Sequence, residues 1–179
     1  MSYPAQYIDA RVRAITAFIR GGSGVIKAAF VNPFIQAGSQ VLSQEFHLAV
    51  QRGELKLEQS KATSADVTIM LGVTGDACGI VLYGMSEHTA KGIVGVMVDD
   101  RVPIFDEMAE SALAELGNLI TGMASVSLEK EGYICRLTPP IVITGRGVII
   151  STVDISRIVV PLITPKGQID ISLCLRSDR

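Results

Sequence analysis

The chain has 179 residues, with 16 Lys plus Arg against 18 Asp plus Glu and a formal net charge of −2. That length suits one domain, or one with an appendage, at roughly 150 residues per domain. A near-neutral balance gives no long-range pull toward nucleic acid or anionic lipid, and 5% aromatic residues with no Trp leave little for base stacking.

Hydrophobic residues make up 48% and charged residues 19%, the balance of a folded chain rather than a disordered one. Cys78, Cys135 and Cys174 are odd in number and far apart, which argues against a disulfide framework or a zinc site and for reduced core thiols. The longest uncharged run, Ala28 to Gln44, holds Asn32, Pro33 and three glutamines and cannot span a bilayer. The stretch between Arg13 and Arg20 is too short for a signal-peptide core. The expectation is a soluble, cytoplasmic protein.

In chain order, Ile8, Val12, Ile15 and Ile19 make one apolar helical stripe among Arg11, Arg13 and Arg20. Gly21-Gly22-Ser23-Gly24 ends that helix and supplies a joint, so residues 1–29 read as an N-terminal helical extension and 30–179 as the domain proper. The extension is either a docking helix or membrane-surface anchor, or a segment packed on its own domain or a neighbouring copy. Asn32-Pro33 reads as cap and first-turn proline of a helix running to about Val50, with Phe34, Val41, Leu42 and Phe46 along one side. Glu54 to Glu58 alternates as a half-exposed strand. Val67 to Val73 and Ala77 to Tyr83 form two strands around Thr74-Gly75-Asp76. Ser86 caps a helix that buries Ala90, Ile93, Val94 and Met97. Asp99-Asp100 reads as a solvated helix end. A long helix follows from about Asp106 to Leu128, then strands at Ile141–Thr144, Ile158–Thr164 and Ile169–Leu175, the last two joined by Pro165-Lys166-Gly167. Helices and hairpin-linked strands in separate blocks mean an α+β fold with a largely antiparallel sheet and the long helix packed against it.

The long helix carries the chemistry. At about 100° per residue, Ser111, Glu115 and Asn118 fall within roughly 60° of one another, with Gly122 on the same line. Ala112, Leu113, Leu116, Leu119, Ile120 and Met123 occupy the opposing arc and are expected to bury. Gly117 and Gly122 each cost roughly 1 kcal/mol relative to Ala inside a helix, which points to something approaching the backbone there. Spacing alone leaves open a plain solvated face. His47 and His88 lack partners at metal spacing and read as structural, and no Walker, Gly-x-Ser-x-Gly or Cys-x-x-Cys motif is present.

Ser111-x3-Glu115-x2-Asn118 resembles the Asp/Ser-x3-Glu-x2-Asn signature of the CheC/CheX family of chemotaxis phosphatases. Gly122, Leu128, Gly132, Pro139-Pro140 and Gly145 resemble the family stretch that follows, Asn32-Pro33-Phe34 its opening, and Ser86 to Val98 its middle helix. The similarity covers about Phe30 to Leu175. A single motif helix places the chain nearer the CheX branch than CheC, which typically carries two. Met123 departs from the family, where many relatives have Asn.

The resemblance implies a CheX-like fold and a hydrolase acting on the aspartyl phosphate of a CheY-type response-regulator receiver domain. Asn118 would orient the attacking water and Glu115 would pair with the receiver's lysine. Ser111, Gly117 and Gly122 would contact the partner. No cofactor is expected on this chain, with Mg2+ supplied by the receiver, and no nucleic acid or membrane is expected as a partner. CheX relatives form homodimers through sheet edges, and the alternating terminal strands could serve. The alternatives are a catalytically silent receiver-binding adaptor and an interaction protein related to flagellar switch subunits.

Overall fold

The alternating segment near the C-terminus becomes the middle of a sheet rather than its edge. The computed structural model describes residues 28–58, 61–63, 65–145, 147–151 and 156–177. The N-terminal extension expected over 1–29 therefore lies almost wholly outside the described residues. Helix α1 spans Ala28–Gln40 and runs into a π-helical turn, Val41–Glu45. Strands β1 (Gln51–Arg52), β2 (Lys56–Glu58), β3 (Lys61–Thr63), β4 (Val67–Gly75) and β5 (Ala77–Met85) follow. Helices α2 (Glu87–Met97) and α3 (Glu107–Lys130) come next. The chain then makes β6 (Cys135–Leu137), β7 (Ile141–Thr144), β8 (Ile149–Ser151), β9 (Arg157–Thr164) and β10 (Gly167–Ser177).

Eight strands form one antiparallel sheet in the order β1-β9-β10-β5-β4-β6, with β2 also pairing with β9 and β7 also pairing with β4. Each outer position is thus shared by two short strands. β3 and β8 pair separately as a two-stranded ribbon. Because side chains alternate, Ile69 and Leu71 of β4, Val81 and Tyr83 of β5, Val160 and Leu162 of β9, and Ile169, Ile171 and Leu173 of β10 share one face, all buried. The helices cover that face: α3 over β4, β6 and β7, α1 over β9 and β10 and along α3, and α2 against β10 and α3. Fully burying each such aliphatic side chain contributes about 1.5–3 kcal/mol. Ser172 and Cys174, on the other face of β10, are buried as well, and Ile150 of β8 and Arg157 line the same face around Ser172. Among the described residues no helix is long and apolar enough to cross a membrane.

Several expectations change. The first helix contains Pro33 instead of starting there. Phe30 and Val31, both fully buried, carry it back toward Ala28, and Phe30 meets Tyr133 edge-on with ring centroids 5.0 Å apart. The helix also ends well before Val50. His47 takes a left-handed conformation (φ 52°) and Leu48 donates its N–H to the Leu42 carbonyl at 3.0 Å, a capping arrangement that stops helical pairing. Of Glu54–Glu58 only Lys56–Glu58 is strand. Neither β9 nor β10 is an edge, and among the described residues the outer strands of the large sheet are β1, β2, β6 and β7. Cys78 and Cys135 are only half-buried; Cys174 alone is a core thiol.

Other expectations hold. Ser86 Oγ accepts the Thr89 N–H at 3.1 Å and caps α2. The β9–β10 hairpin turns at Pro165-Lys166, and Gly167 (φ 126°) is required there, since a Cβ would sit 2.1 Å from Thr89 Oγ1.

Ile171 joins β10 to α1, its Cδ1 lying 2.9 Å from where a Cβ on Gly38 would stand. Ile171→Ala is expected to lose about 2–5 kcal/mol in urea unfolding with the slope unchanged. A loss under about 1 kcal/mol would contradict this packing.

Candidate functional site on helix α3

Helix α3 begins where Asp106 Oδ1 accepts the Ala109 N–H at 3.1 Å, with Glu107 and Glu110 in the first turn and Lys130 in the last. All three charges interact favourably with the helix dipole. Its rotation is set by a buried arc of Ala109, Leu113, Leu116, Gly117, Ile120, Thr121, Ala124 and Leu128. At Gly117 the helix lies close on the sheet: a Cβ there would stand 2.8 Å from Ile69 Cγ2 and 3.1 Å from Leu71 Cδ1.

One turn on, Thr121 Oγ1 donates to the Gly117 carbonyl at 2.7 Å and accepts from the Tyr83 hydroxyl at 2.7 Å. This buried chain ties β5 to the turn of α3 that carries Asn118. Burial pushes the Tyr83 hydroxyl well above the usual tyrosine range, the bond to Thr121 only partly offsetting it.

With that arc against the sheet, Ser111, Glu115 and Asn118 stand exposed on the opposite side. Neither Glu115 nor Asn118 is tied up by a hydrogen bond or ion pair among the described residues. Gly122 is half-exposed, and a Cβ there would meet nothing within 4 Å. Glu115, Asn118, Leu119, Gly122, Met123 and Val126 line a shallow depression of about 490 Å³.

The structure thus brings Ser111, Glu115, Asn118 and Gly122 onto one open face and removes Gly117 from it. Gly117 is buried and serves the helix–sheet approach, so it cannot be a partner contact. Leu119, expected to bury, is 38% exposed because it sits at the border of the polar stripe, turned away from the sheet. Leu113, Leu116 and Ile120 bury as expected, while Ala112 and Met123 are half-buried. Leu119 and Val126 belong to the depression although sequence reasoning missed both. The signal available was an exposed-side Val inside a helix, a residue of poor helix propensity.

A carboxylate and a carboxamide one turn apart offer one negative charge and one neutral group that both donates and accepts. That pair can hold a cation and orient a water. Among the described residues no group of His, Cys, Asp or Glu could hold a metal ion. His47 and His88 are exposed and lie outside the depression; His47 holds the left-handed turn that ends the first helix. The Cys135 thiol is pushed up by burial, with the Asp76 charge adding to it, which disfavours a nucleophilic thiolate. Asp99 (φ 52°) and Asp100 close the end of α2, Asp100 N–H reaching the Gly95 carbonyl at 3.1 Å.

A more enclosed cavity of about 270 Å³ lies on the far face of the sheet, floored by Thr68, Gly84, Asp170 and Ser172 and edged by the Arg157–Glu58 ion pair. Thr68 Oγ1 is buried there with no hydrogen-bond partner among the described residues. Its charged groups, Glu58, Arg157 and Asp170, line an enclosed space, whereas the α3 face is open.

Residues 67–163 match the family model for the chemotaxis phosphatase CheX. The chain is 37% identical over 78 residues to the CheY-P phosphatase CheX of Thermotoga maritima, over 43% of this chain and 50% of that protein. It thus spans half the length of the curated relative it matches. The crystal structure of the chemotaxis protein CheX from Desulfovibrio desulfuricans superposes with a TM-score of 0.75 at 26% identity, covering 82% of this chain and 99% of that one. The CheX–CheY–BeF3–Mg2+ complex from Borrelia burgdorferi gives 0.73 at 25% identity, over 83% and 98%.

The two helix glycines are expected to respond with opposite signs. Gly117→Val drives a branched side chain into Ile69 and Leu71 and should cost about 2 kcal/mol or more. Gly122→Ala should gain about 0.5–1 kcal/mol, since nothing opposes it. Equal effects in thermal melts would contradict the rotation described. Tyr83→Phe should cost about 1–2 kcal/mol at neutral pH. The folded protein holds the Tyr83 proton where the unfolded chain, titrating near 10, releases it. Wild-type stability is therefore full below about pH 10 and falls above it, and Tyr83→Phe should lose this group's share of that alkaline slope in urea titrations.

Proposed function

This chain belongs to the CheX family of chemotaxis phosphatases, and we propose that it hydrolyses the aspartyl phosphate of a CheY-type response-regulator receiver domain. The observation that carries the reading is the exposed Glu115–Asn118 pair, one turn apart on a helix whose other face is locked to the sheet. It is supported by the name of the Thermotoga maritima relative and by the Borrelia burgdorferi complex, which holds CheX with CheY, beryllium fluoride and magnesium.

Phosphoryl transfer to water passes through a loose in-line transition state, so the catalyst chiefly positions water and tolerates charge. Asn118 accepts a hydrogen bond from the attacking water through its carboxamide oxygen and donates through its NH2, without adding negative charge next to the phosphoryl oxygens. The water oxygen bonds to phosphorus, the bond from phosphorus to the aspartyl oxygen breaks, and the aspartate leaves as a carboxylate. Glu115, one turn away, pairs with the receiver's active-site lysine and sets the register in which Asn118 enters. Ser111 extends the contact along the helix, and Gly122 leaves room for close approach. Magnesium belongs to the receiver.

The test is loss of phosphate from a magnesium-loaded, phosphorylated receiver of the same organism. Wild type is expected to accelerate it, and Asn118→Ala to lower kcat by about 100-fold or more with affinity retained. Glu115→Ala is expected to weaken binding as well. Binding without acceleration would replace the enzyme by a silent adaptor, and an undiminished Asn118→Ala would remove the residue from the mechanism.

A further inference from the structure

The exposed face of α3 is lopsided. Measured from Ser111 at about 100° per residue, Asn118 lies about 20° to one side and Glu115 about 40° to the other. Beyond Asn118 come small or polar positions: Glu107, Ala114 and Ser125. Beyond Glu115 come Met108, Leu119 and Val126, which are 48%, 38% and 52% exposed. Leu119 and Val126 are two turns apart, with half-buried Met123 between and behind them, and these three line the same depression as Glu115 and Asn118.

The fold does not need this ridge. Leu119 and Val126 point away from the sheet, and Val is a weak helix former, so neither core burial nor local propensity accounts for an exposed Val at 126. An apolar patch with a polar border is the signature of a contact surface. Its occupant can be read from charge. Glu115 and Glu129 are exposed along the middle of this face, with Glu107 on the Asn118 flank and Lys130 one turn beyond Val126. The charge bordering the Leu119 end of the ridge is therefore the Glu115 carboxylate, which calls for a cationic group on the partner beside its own apolar patch. A receiver domain whose phosphorylated site carries a lysine and Mg2+ meets the charge requirement at Glu115.

Resting on the phosphatase reading above, we propose that Leu119, Met123 and Val126 form the apolar half of the receiver-docking surface. They hold the receiver in place, while Glu115 and Asn118 act on the phosphoryl group. Docking is therefore off the helix axis, toward the Leu119–Val126 side, and a well-matched receiver buries an apolar side chain in the depression beside Gly122.

The test uses the full chain, with Leu119→Ser, Val126→Ser and the double variant. Ile163→Ser serves as control, an equally exposed apolar residue (43%) on β9, away from α3. Affinity is measured for a receiver carrying beryllium fluoride and Mg2+, and kcat and KM for the phosphorylated receiver, with thermal melts to verify folding. The double variant is expected to raise Kd and KM about tenfold with kcat unchanged, as partial loss of a hydrophobic anchor does. Ile163→Ser should change neither. Unchanged Kd and KM, in a wild type that binds and dephosphorylates, would overturn the docking ridge and leave the phosphatase reading intact. Loss of self-association in sedimentation, in place of lost receiver affinity, would overturn it in favour of a second copy as occupant. A wild type that binds no receiver from the organism would overturn both.

Discussion

Helix α3 lies close on strand β4 at Gly117, where the missing Cβ leaves room for the side chains of Ile69 and Leu71. That contact governs how α3 is turned about its own axis. Leu113, Leu116 and Ile120 fill the sheet-facing arc on either side of it, and the Tyr83–Thr121–Gly117 hydrogen-bond chain pins the same turn from below. Since each residue advances the helix by about 100°, a rotation of less than half that would carry Asn118 toward the border of the packed face. The outward aim of Asn118 and Glu115 therefore follows from apolar packing on the opposite side of the same helix.

A carboxamide that must place one water has to be held still before the substrate arrives, and a helix docked along its length on a sheet provides that. The rest of the fold serves this support. The central strands β4, β5, β9 and β10 are long, while the short strands at the margins close the sheet in pieces. Of the two described cavities the one on the far face is the more enclosed, and the α3 face stays shallow, which suits the proposed docking of another protein on it.

The elements that could be read from the sequence are those whose pattern covers a full period. The alternation of Ile169, Ile171, Leu173 and Leu175 gives β10, Ser86 announces α2, and Asp106 followed by an apolar arc gives α3. Strands β1, β3, β6 and β8, two or three residues each, are too short for alternation to register and exist through their partners. Pro33 was misleading for a different reason. A proline marks a helix start only when nothing before it needs burying, and Phe30 and Val31 do. Within the site, Ser111, Glu115 and Asn118 share a face by spacing alone. The two glycines could not be told apart that way, because a helical glycine signals a close neighbour without saying on which side. The neighbour of Gly117 is the protein's own sheet, and Gly122 has none. Leu119 was misplaced because a residue at the border of an arc is assigned by its chemistry in the sequence and by its angle in the fold.

The chain contains only two asparagines, Asn32 on α1 and Asn118 on α3, so asparagine-selective labelling reduces the side-chain carboxamide spectrum to two sites. Titrating the labelled protein with a receiver carrying beryllium fluoride and Mg2+ asks whether Asn118 meets the phosphoryl site. The account predicts that the Asn118 carboxamide shifts, with slowed proton exchange, while that of Asn32 stays in place. A receiver that binds and leaves the Asn118 carboxamide unmoved would contradict it.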